Sequence, residues 1–388
     1  MVDEEVQCWC GSGLLFQECH FGREEMKPVL PKQAERASIE SFKTTEICFH
    51  PFADELKCDD IIRAHTVSRG QTLKALADST NHVYQLGLDL SFSPSRDLEQ
   101  KDLFSPGGMK DLVGIKKIGT KKASIIRGFC GRHDSVFNPI ESGDLVINSE
   151  NAFLFWFRSV VFELYQKIGL VDSGSYQRSN LDKGQTFADQ VLIQASLGWI
   201  DTGAKHGLRR YRDLWKRSCF LYRKPNYEEI SYLVFKYEGV LGYSVTCNLS
   251  PEYDCNNGFL QKLANVKNMF QVLSLTVLSD KRNIFVVFTW QSKSKRIYKF
   301  LRSLLNSSVD IPSAVTELTF LYSENHYFCK SWWDGLGEEK QNLLKRRHSS
   351  LIYTGKPIEP FSLEQFTDWK EVGVFSSEED FLRILKQG

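Results

Sequence analysis

The first stretch of the sequence able to do chemistry is "CWCGSGLLFQECH", residues 8–20. Cys8 and Cys10 are one residue apart, and the adjacent Cys19 and His20 follow after a short loop. Thiolate and imidazole are ligands that tetrahedral zinc prefers. Because four protein ligands would leave no position for water, the spacing predicts a structural zinc site rather than a catalytic one.

A redox role for this stretch would need C-x-x-C in a βαβ setting, which the sequence lacks here. Gly11 and Gly13 lie between the two ligand pairs and let the backbone turn, so that the pairs converge. A unit of about twenty residues cannot fold on its own core, whereas zinc adds on the order of 10–16 kcal/mol to such peptides. The sequence therefore predicts a zinc-held knuckle.

This pattern closely resembles the SEC-C motif, the C-x-C-G-S-G…C-[CH] zinc module found at the C-terminus of the SecA translocation ATPase and attached to many bacterial proteins. The matching positions are Cys8, Cys10, Gly11, Ser12, Gly13, Cys19 and His20. The resemblance implies zinc as a cofactor and a SecB-like chaperone or the ribosome as a docking partner. It does not imply a translocase, since the sequence contains no Walker A motif.

A second set of possible ligands comes from "KCDDIIRAHTVSR" (57–69) and "RGFCGRHDSVFNPIE" (127–141). The second segment has the C-x2-H spacing that is typical of a zinc knuckle. The four candidate ligands are Cys58, His65, Cys130 and His133. We expect them to bind a second zinc or another divalent cation.

In arrangement these two segments resemble a divergent HNH nuclease module of the treble-clef type, in which a cysteine precedes an "AH" segment and a later "C-x2-H-D" segment supplies a helix. The resemblance implies that His65 is the general base that activates water, and that His133 lies beside a divalent metal. It also implies a phosphate contact from Arg69 or Arg63. Asp134 is the third catalytic candidate, beside His65 and Arg69.

The same region allows two other interpretations. A purely structural zinc would hold residues 45–150 together, as the first zinc holds the knuckle. "AHTVSRGQTLKAL" is also similar to the NAD-binding segment of ADP-ribosyltransferases, in which a His-Thr pair precedes a Leu-x-x-Leu helix. The nuclease pattern has two departures: a long interval separates His65 from Cys130, and no Asn stands at its middle position.

The net charge of +1 conceals two basic stretches. Residues 110–132 carry seven Lys and Arg, and residues 205–224 carry eight. Such stretches either line a face that binds the phosphates of DNA or RNA, or form solvated helix surfaces that acidic neighbours neutralise. The nuclease hypothesis uses the first alternative, in which the basic residues guide a polyanion towards His65.

Cysteine usage and hydropathy indicate the cell compartment. Ten cysteines among 388 residues are fewer than a disulfide scaffold contains, and six of them fall within the first 130 residues. The chain begins with the acidic "VDEE", and no apolar run approaches the roughly 18–20 residues that span a bilayer. We expect a cytoplasmic protein that binds metal and has no membrane contact.

Elements that would position these residues follow from hydrophobic patterning, which predicts an α+β fold with helices followed by an antiparallel sheet. "NAFLFWFRSVVFELYQKIG" predicts a buried helix that ends at its last glycine, "VLSLTVLSDKRNIFVVFTW" a hairpin, and "SKRIYKFLRSLLN" an amphipathic helix. "SENHYFCKSWWDGL" predicts a packing plug around its two tryptophans. The expected regions are a SEC-C knuckle at 1–22, a linker at 23–44, a zinc-stabilised HNH-like region at 45–150, a helical region at 151–226 and a mixed region with antiparallel strands at 227–388.

Two classes of function follow. The first is a bacterial effector of toxin or phage-defence type that acts on nucleic acid as a metal-dependent nuclease, with an NAD-dependent ADP-ribosyltransferase as the variant enzyme. The second is a non-enzymatic adaptor, in which the knuckle docks a chaperone or the ribosome.

Overall fold

A computed structural model describes residues 6–30, 33–34, 36–37, 40–41, 46–88, 113–141, 143–350, 357 and 359–387. The chain divides into two compact units. Unit 1 takes its residues from Met1–Ile47 and Leu164–Leu214, and unit 2 from Cys48–Glu163 and Trp215–Gly388. Each unit thus draws on more than one of the five expected regions.

The fold class is α+β, as the patterning predicts. The helices are α1 Phe16–Cys19, α2 Lys74–Leu76, α3 Gly131–Asp134, α4 Asn138–Glu141, α5 Ser149–Asn180, α6 Phe187–Arg223, α7 Lys295–Leu305, α8 Ile311–Tyr322, α9 Lys330–Gly335, α10 Gly337–Ser349 and α11 Glu379–Gln387. The strands are β1 Ala64–His65, β2 His82–Leu88, β3 Val113–Gly119, β4 Ile125–Ile126, β5 Ile230–Glu238, β6 Tyr243–Leu249, β7 Leu273–Ser279, β8 Ile284–Gln291, β9 His326–Phe328 and β10 Lys370–Ser376. Short 3-10 turns lie at Arg23–Glu25, Ser135–Phe137 and Tyr227–Glu229, and a π-helical turn at Arg69–Leu73.

Unit 2 is built on an eight-stranded antiparallel sheet in the order β10-β5-β8-β7-β6-β9-β2-β3. Strands β6 and β7 are buried along their whole length, so both faces of the sheet are covered. The predicted hairpin is confirmed as β7 and β8. The Asp280 carboxylate closes its turn by accepting the backbone N–H groups of Arg282 (2.8 Å) and Asn283 (2.7 Å).

The predicted amphipathic helix is confirmed as α7, whose Ile297, Phe300 and Leu301 are fully buried against the sheet. Alternate residues of β6 face opposite sides of the sheet. On one side the Thr316 hydroxyl donates to the Tyr243 hydroxyl (3.0 Å), and on the other the Thr246 hydroxyl donates to the main-chain carbonyl next to β1, at Thr66 (3.3 Å). This second side positions the segment that carries His65.

Two expectations differ from the structure. Helix α5 does not end at Gly169 but continues to Asn180, because one interior glycine costs a helix only about 1 kcal/mol and does not stop it. The repeated glycines of residues 103–124 predict turns, yet the described part of this segment forms β3, which pairs with β2 along seven residues at the sheet edge. Residues 101–112 lie outside the described residues. Among the described residues, no helix is both long and apolar enough to cross a bilayer.

Candidate metal centres and the adjoining polar cluster

The first centre brings together Cys8, Cys10, Cys19 and His20, whose ligand atoms all lie within 4.8 Å of one another. His20 Nδ1 is 3.1 Å from the sulfurs of both Cys8 and Cys19, and the sulfurs of Cys10 and Cys19 are 3.6 Å apart. In a zinc tetrahedron the sulfurs are about 3.8 Å apart, and sulfur and nitrogen about 3.5 Å. The donor set and its spacing therefore fit a closed zinc site.

The backbone between the ligand pairs explains their convergence. Gly11 and Gly13 have φ angles of +74° and +79°, in the left-handed region where a side chain would be strained. The loop is closed by a hydrogen bond from the Cys8 N–H to the Leu14 carbonyl (2.8 Å). The short helix α1 then ends at Cys19 and presents His20 at its C-terminus.

The apolar residues of this knuckle have different environments. The Trp9 ring packs on the His20 ring (4.5 Å between centroids) and on the edge of Phe187 (5.6 Å), so Trp9 is half-buried. Leu14 and Leu15 remain 49% and 40% exposed. Leu14 and Leu15, unlike Trp9, are therefore exposed apolar side chains of the knuckle.

The second centre consists of Cys48, Cys58, Cys130 and His133, again with all ligand atoms within 4.8 Å. His133 Nδ1 is 3.4 Å from the Cys48 sulfur and 3.5 Å from the Cys58 sulfur, close to the separation in a zinc tetrahedron. Cys48 takes the place that the sequence analysis gave to His65. This corrects the ligand set: three cysteines and one histidine close the site without His65.

Backbone pairing brings these ligands together. The Phe49 N–H donates to the Gly128 carbonyl (2.9 Å), and the Ile62 N–H donates to the Phe129 carbonyl (2.9 Å). Cys130 precedes helix α3, and its neighbour Gly131 donates its N–H to the Asp60 carbonyl (3.3 Å). A short ladder of backbone hydrogen bonds around the β1–β4 pair therefore holds Cys48 and Cys58 close to Cys130 and His133.

Within each centre the thiol pKa values are shifted in both directions: against the effect of burial, hydrogen bonds lower the pKa of Cys10 and of Cys130. Burial raises the pKa of Cys8 and of Cys48 to about 12, so both are protonated thiols at neutral pH without metal. Burial lowers the pKa of His20 and of His133, which keeps both rings neutral. Zinc binding must therefore release the protons of Cys8 and Cys48, as it does in other thiolate sites.

His65 lies on β1, next to the second centre in sequence but outside its ligand group. Its Nε2 is 3.2 Å from the Thr120 carbonyl oxygen. Burial lowers the His65 pKa, with a further lowering from the positive charge of Arg69 and an opposing effect of Glu141. The imidazole is therefore neutral at pH 7, the state that a general base needs.

Asp134, the last residue of α3, belongs to the same electrostatic neighbourhood. Burial and, to a smaller extent, the negative charge of Glu141 raise the pKa of Asp134 to about 6, against an opposing effect of Arg158. Glu141 forms an ion pair with the buried Arg158 (2.9 Å), whose guanidinium lies over the Phe137 ring. The predicted catalytic residues His65 and Asp134 thus both lie within electrostatic range of Glu141; we call these three residues, together with Arg158, the polar cluster.

A buried hydrogen-bond network fixes the chain just after His65. The hydroxyls of Thr66 and Ser124 are 2.6 Å apart, and the Asn325 side-chain amide donates to the Thr66 hydroxyl (3.1 Å) and to the Thr246 carbonyl (2.8 Å). Asn325 belongs to the segment expected to form a packing plug. That expectation is confirmed at Trp333, which is 1% exposed.

The basic stretches are partly neutralised. In residues 205–224, Lys205 pairs with Asp201 (2.7 Å) and Arg223 with Glu55 (2.5 Å). This favours a compensated helix surface for that stretch. In residues 110–132, two lysines, at positions 121 and 122, are exposed directly after Thr120, whose carbonyl contacts His65.

Sequence reasoning missed three residues of these sites. Cys48 had a signal: the six cysteines within the first 130 residues form two sets of three, each completed by one histidine. No signal in the sequence indicated Glu141 and Arg158. Each lies in an ordinary helical segment, and nothing near either residue indicates its ion-pair partner.

Comparison with known proteins gives one family. Residues 7–22 match the SEC-C motif. Neither the curated proteins nor the solved structures contain a match to the chain. The match covers the first centre with all four of its ligands, while the second centre and the polar cluster lie outside it.

Proposed function

We propose that the protein is a metal-dependent nuclease of HNH type, in which both zinc sites are structural and the polar cluster carries the chemistry. The observation that supports this most directly is the state of His65: it is neutral, lies outside the zinc ligand group, and is subject to the opposing charges of Arg69 and Glu141. A closed shell of four protein ligands leaves no metal position for water. The general base must then be a separate residue, and His65 is that residue.

The order of elements also supports an HNH-like module. Cys58 precedes β1 with its "AH" sequence, β1 pairs with β4, and the C-x2-H pair of Cys130 and His133 opens α3. This is the arrangement on which the resemblance rests. Under this proposal, the second zinc holds β1 and α3 in place, so that His65 and Asp134 come from two elements joined by one metal.

Asp134 and Glu141 would hold the catalytic divalent cation. Paired carboxylates are the ligands that Mg²⁺ and Mn²⁺ prefer, and the cation would stabilise charge on the phosphorane and on the leaving oxygen. His65 would remove the proton from the attacking water. Arg63 comes directly before β1, two residues before His65, and is exposed, so Arg63 and Arg69 would contact the scissile phosphate.

Two exposed lysines near His65 support a nucleic acid as the class of substrate. Lys121 and Lys122 follow Thr120, the residue whose carbonyl contacts His65, and both are exposed. Each phosphate that such a side chain neutralises adds salt-dependent affinity. A polyanion bound across this turn would pass the polar cluster.

The experiment is cleavage of plasmid DNA and of RNA by the full chain with Mg²⁺ or Mn²⁺. We expect His65→Ala to lose on the order of 100-fold or more in cleavage rate, because a general base contributes that much. It should keep two zinc ions per chain, because His65 belongs to neither ligand group. His82→Ala is the matched control, since His82 is a partly exposed histidine of the same unit. Cleavage by the wild type that survives in His65→Ala contradicts the proposal, and so does activity that appears only on addition of NAD.

A second function is favoured by a separate observation, the SEC-C match at residues 7–22 with exposed Leu14, Leu15 and Phe21. This supports an adaptor that docks a SecB-like chaperone or the ribosome. The test is binding of the purified chaperone or of ribosomes to the wild type and to the double variant Leu14→Ser/Leu15→Ser. Loss of binding with retained zinc supports docking, and equal binding by both proteins contradicts it.

A further inference from the structure

A carboxylate far away in the sequence contacts the first metal centre. Asp182 lies in the turn after α5 and is fully buried. Its Oδ2 is 2.8 Å from His20 Nε2, in a contact that spans 162 residues of sequence. Asp182 is outside the SEC-C match, and neither the match nor the ligand group includes it.

The geometry fixes which nitrogen of His20 carries the proton. Nδ1 faces the sulfurs of Cys8 and Cys19, each at 3.1 Å, whereas Nε2 faces the Asp182 carboxylate. A carboxylate accepts hydrogen bonds, so Nε2 carries the hydrogen and donates it. Nδ1 then keeps its lone pair directed at the metal position, which is the tautomer that a zinc ligand requires.

Two further side chains contact the Asp182 carboxylate. Arg23 Nε is 2.9 Å from Oδ1, and the Gln194 side-chain amide donates to Oδ2 (2.8 Å). The Arg23 guanidinium also donates to the carbonyl of Cys19 (3.0 Å), a metal ligand, and to that of Ser179 near the end of α5. Knuckle, turn and helix end are therefore joined through one buried ion pair.

In the second centre, the histidine nitrogen that faces away from the sulfurs has a different environment. His133 Nε2 is buried and has no hydrogen-bond partner among the described residues. The His133 ring is instead stacked on His50, with centroids 4.1 Å apart and planes inclined by 4°. The carboxylate contact therefore distinguishes the first centre from the second within one molecule.

We propose that Asp182 is a positioning residue for zinc at the first centre, and that it makes zinc affinity there depend on the fold of the helices of unit 1. Carboxylates that hold a metal-bound histidine typically add 10–100-fold to metal affinity. Because binding and folding are thermodynamically linked, zinc at this centre stabilises the turn at Asp182 in return. The knuckle is thus part of unit 1 and does not fold as a separate module.

The test compares zinc retention at the two centres of the same full-length protein. A chelator is titrated into three zinc-loaded proteins: the wild type, Asp182→Ala and Asp182→Asn. Protection of Cys10 and Cys19 from alkylation reports zinc at the first centre, and protection of Cys48 and Cys58 reports zinc at the second. We expect Asp182→Ala to lose zinc from the first centre at 10–100-fold lower chelator concentration, with the second centre unchanged. We expect Asp182→Asn, which keeps an acceptor but not the charge, to lie between the two.

Leu197→Ala is the control for simple destabilisation, because Leu197 is a buried residue of α6 in the same unit. Co²⁺ loaded into each protein gives a second readout, since its ligand-field spectrum reports the geometry of the thiolate and imidazole ligands. A changed Co²⁺ spectrum in Asp182→Ala but not in Leu197→Ala supports the proposal. Zinc retention by Asp182→Ala equal to that of wild type, or a loss equal to that of Leu197→Ala, overturns it.

Discussion

Acid should loosen the β2–β3 edge of the sheet, because one of the hydrogen bonds that join it to the neighbouring strand is accepted by a histidine that must stay neutral. His326 on β9 is fully buried. Its Nδ1–H donates to the Ser323 carbonyl (2.8 Å), and its Nε2 accepts the backbone N–H of Leu86 on β2 (3.1 Å). A proton on Nε2 would place two N–H groups against each other.

The magnitude follows from the pKa. Burial and, to a smaller extent, His348 lower the pKa of His326 from 6.5 to about 3. Because the folded pKa is below the unfolded one, this contribution to stability is complete above pH 6.5 and is lost as the pH falls towards 3. The linkage between proton binding and folding lowers the free energy of unfolding by about 2 kcal/mol between pH 8 and pH 5, and by about 5 kcal/mol at the acid limit.

The assay is urea unfolding at pH 8, 7, 6 and 5 for the wild type and for His326→Gln. The glutamine amide supplies one donor and one acceptor but does not titrate, so both proteins share every other pH effect, including zinc release. Between pH 8 and pH 5, we expect the free energy of unfolding to fall by about 2 kcal/mol more in the wild type than in His326→Gln. Hydrogen exchange should rise first in β2 and β3. Identical pH dependence in the two proteins would refute the reasoning.

Three further outcomes are expected. Cys48→Ser should hold one zinc per chain where His65→Ala holds two, and metal analysis of the purified proteins checks this. Trp333→Ala should lower the free energy of unfolding by about 3–5 kcal/mol, because its indole is 1% exposed in the core of unit 2; urea titration measures it. The double variant Lys121→Ala/Lys122→Ala should reduce the slope of log affinity for DNA against log salt by about 1.8, if each lysine neutralises one phosphate; binding at several salt concentrations tests this. An unchanged slope would exclude these lysines from the nucleic-acid path.

Helices, strands and ligand groups that depend only on nearby residues could be predicted from the sequence. The apolar stripe of α7 repeats within eleven residues, and β7 and β8 are joined by a tight turn, so neighbours in the sequence decide both. The same holds for the first centre, whose four ligands fall within residues 8–20. Here the information needed to place each residue lies within one or two turns of chain.

Pairings between distant segments could not be predicted in this way. Strand β2 joins the sheet through β9, where Tyr84 faces Phe328, and nothing near Tyr84 indicates that partner. For the second centre the sequence supplied three of the four ligands correctly but chose His65, which is nearer to Cys58 along the chain than is Cys48. The backbone ladder around Phe129 decided between them, and it forms only in the folded chain.

The contact between His20 and Asp182 has a consequence for biosynthesis. The ribosome makes His20 long before Asp182, with 162 positions between them. At about 5–20 residues per second, the knuckle exists for roughly 8–32 s without the carboxylate that orients its histidine. During that interval, zinc captured by the three cysteines is held by an incompletely ordered ligand set, and the centre matures only when the turn after α5 has been translated.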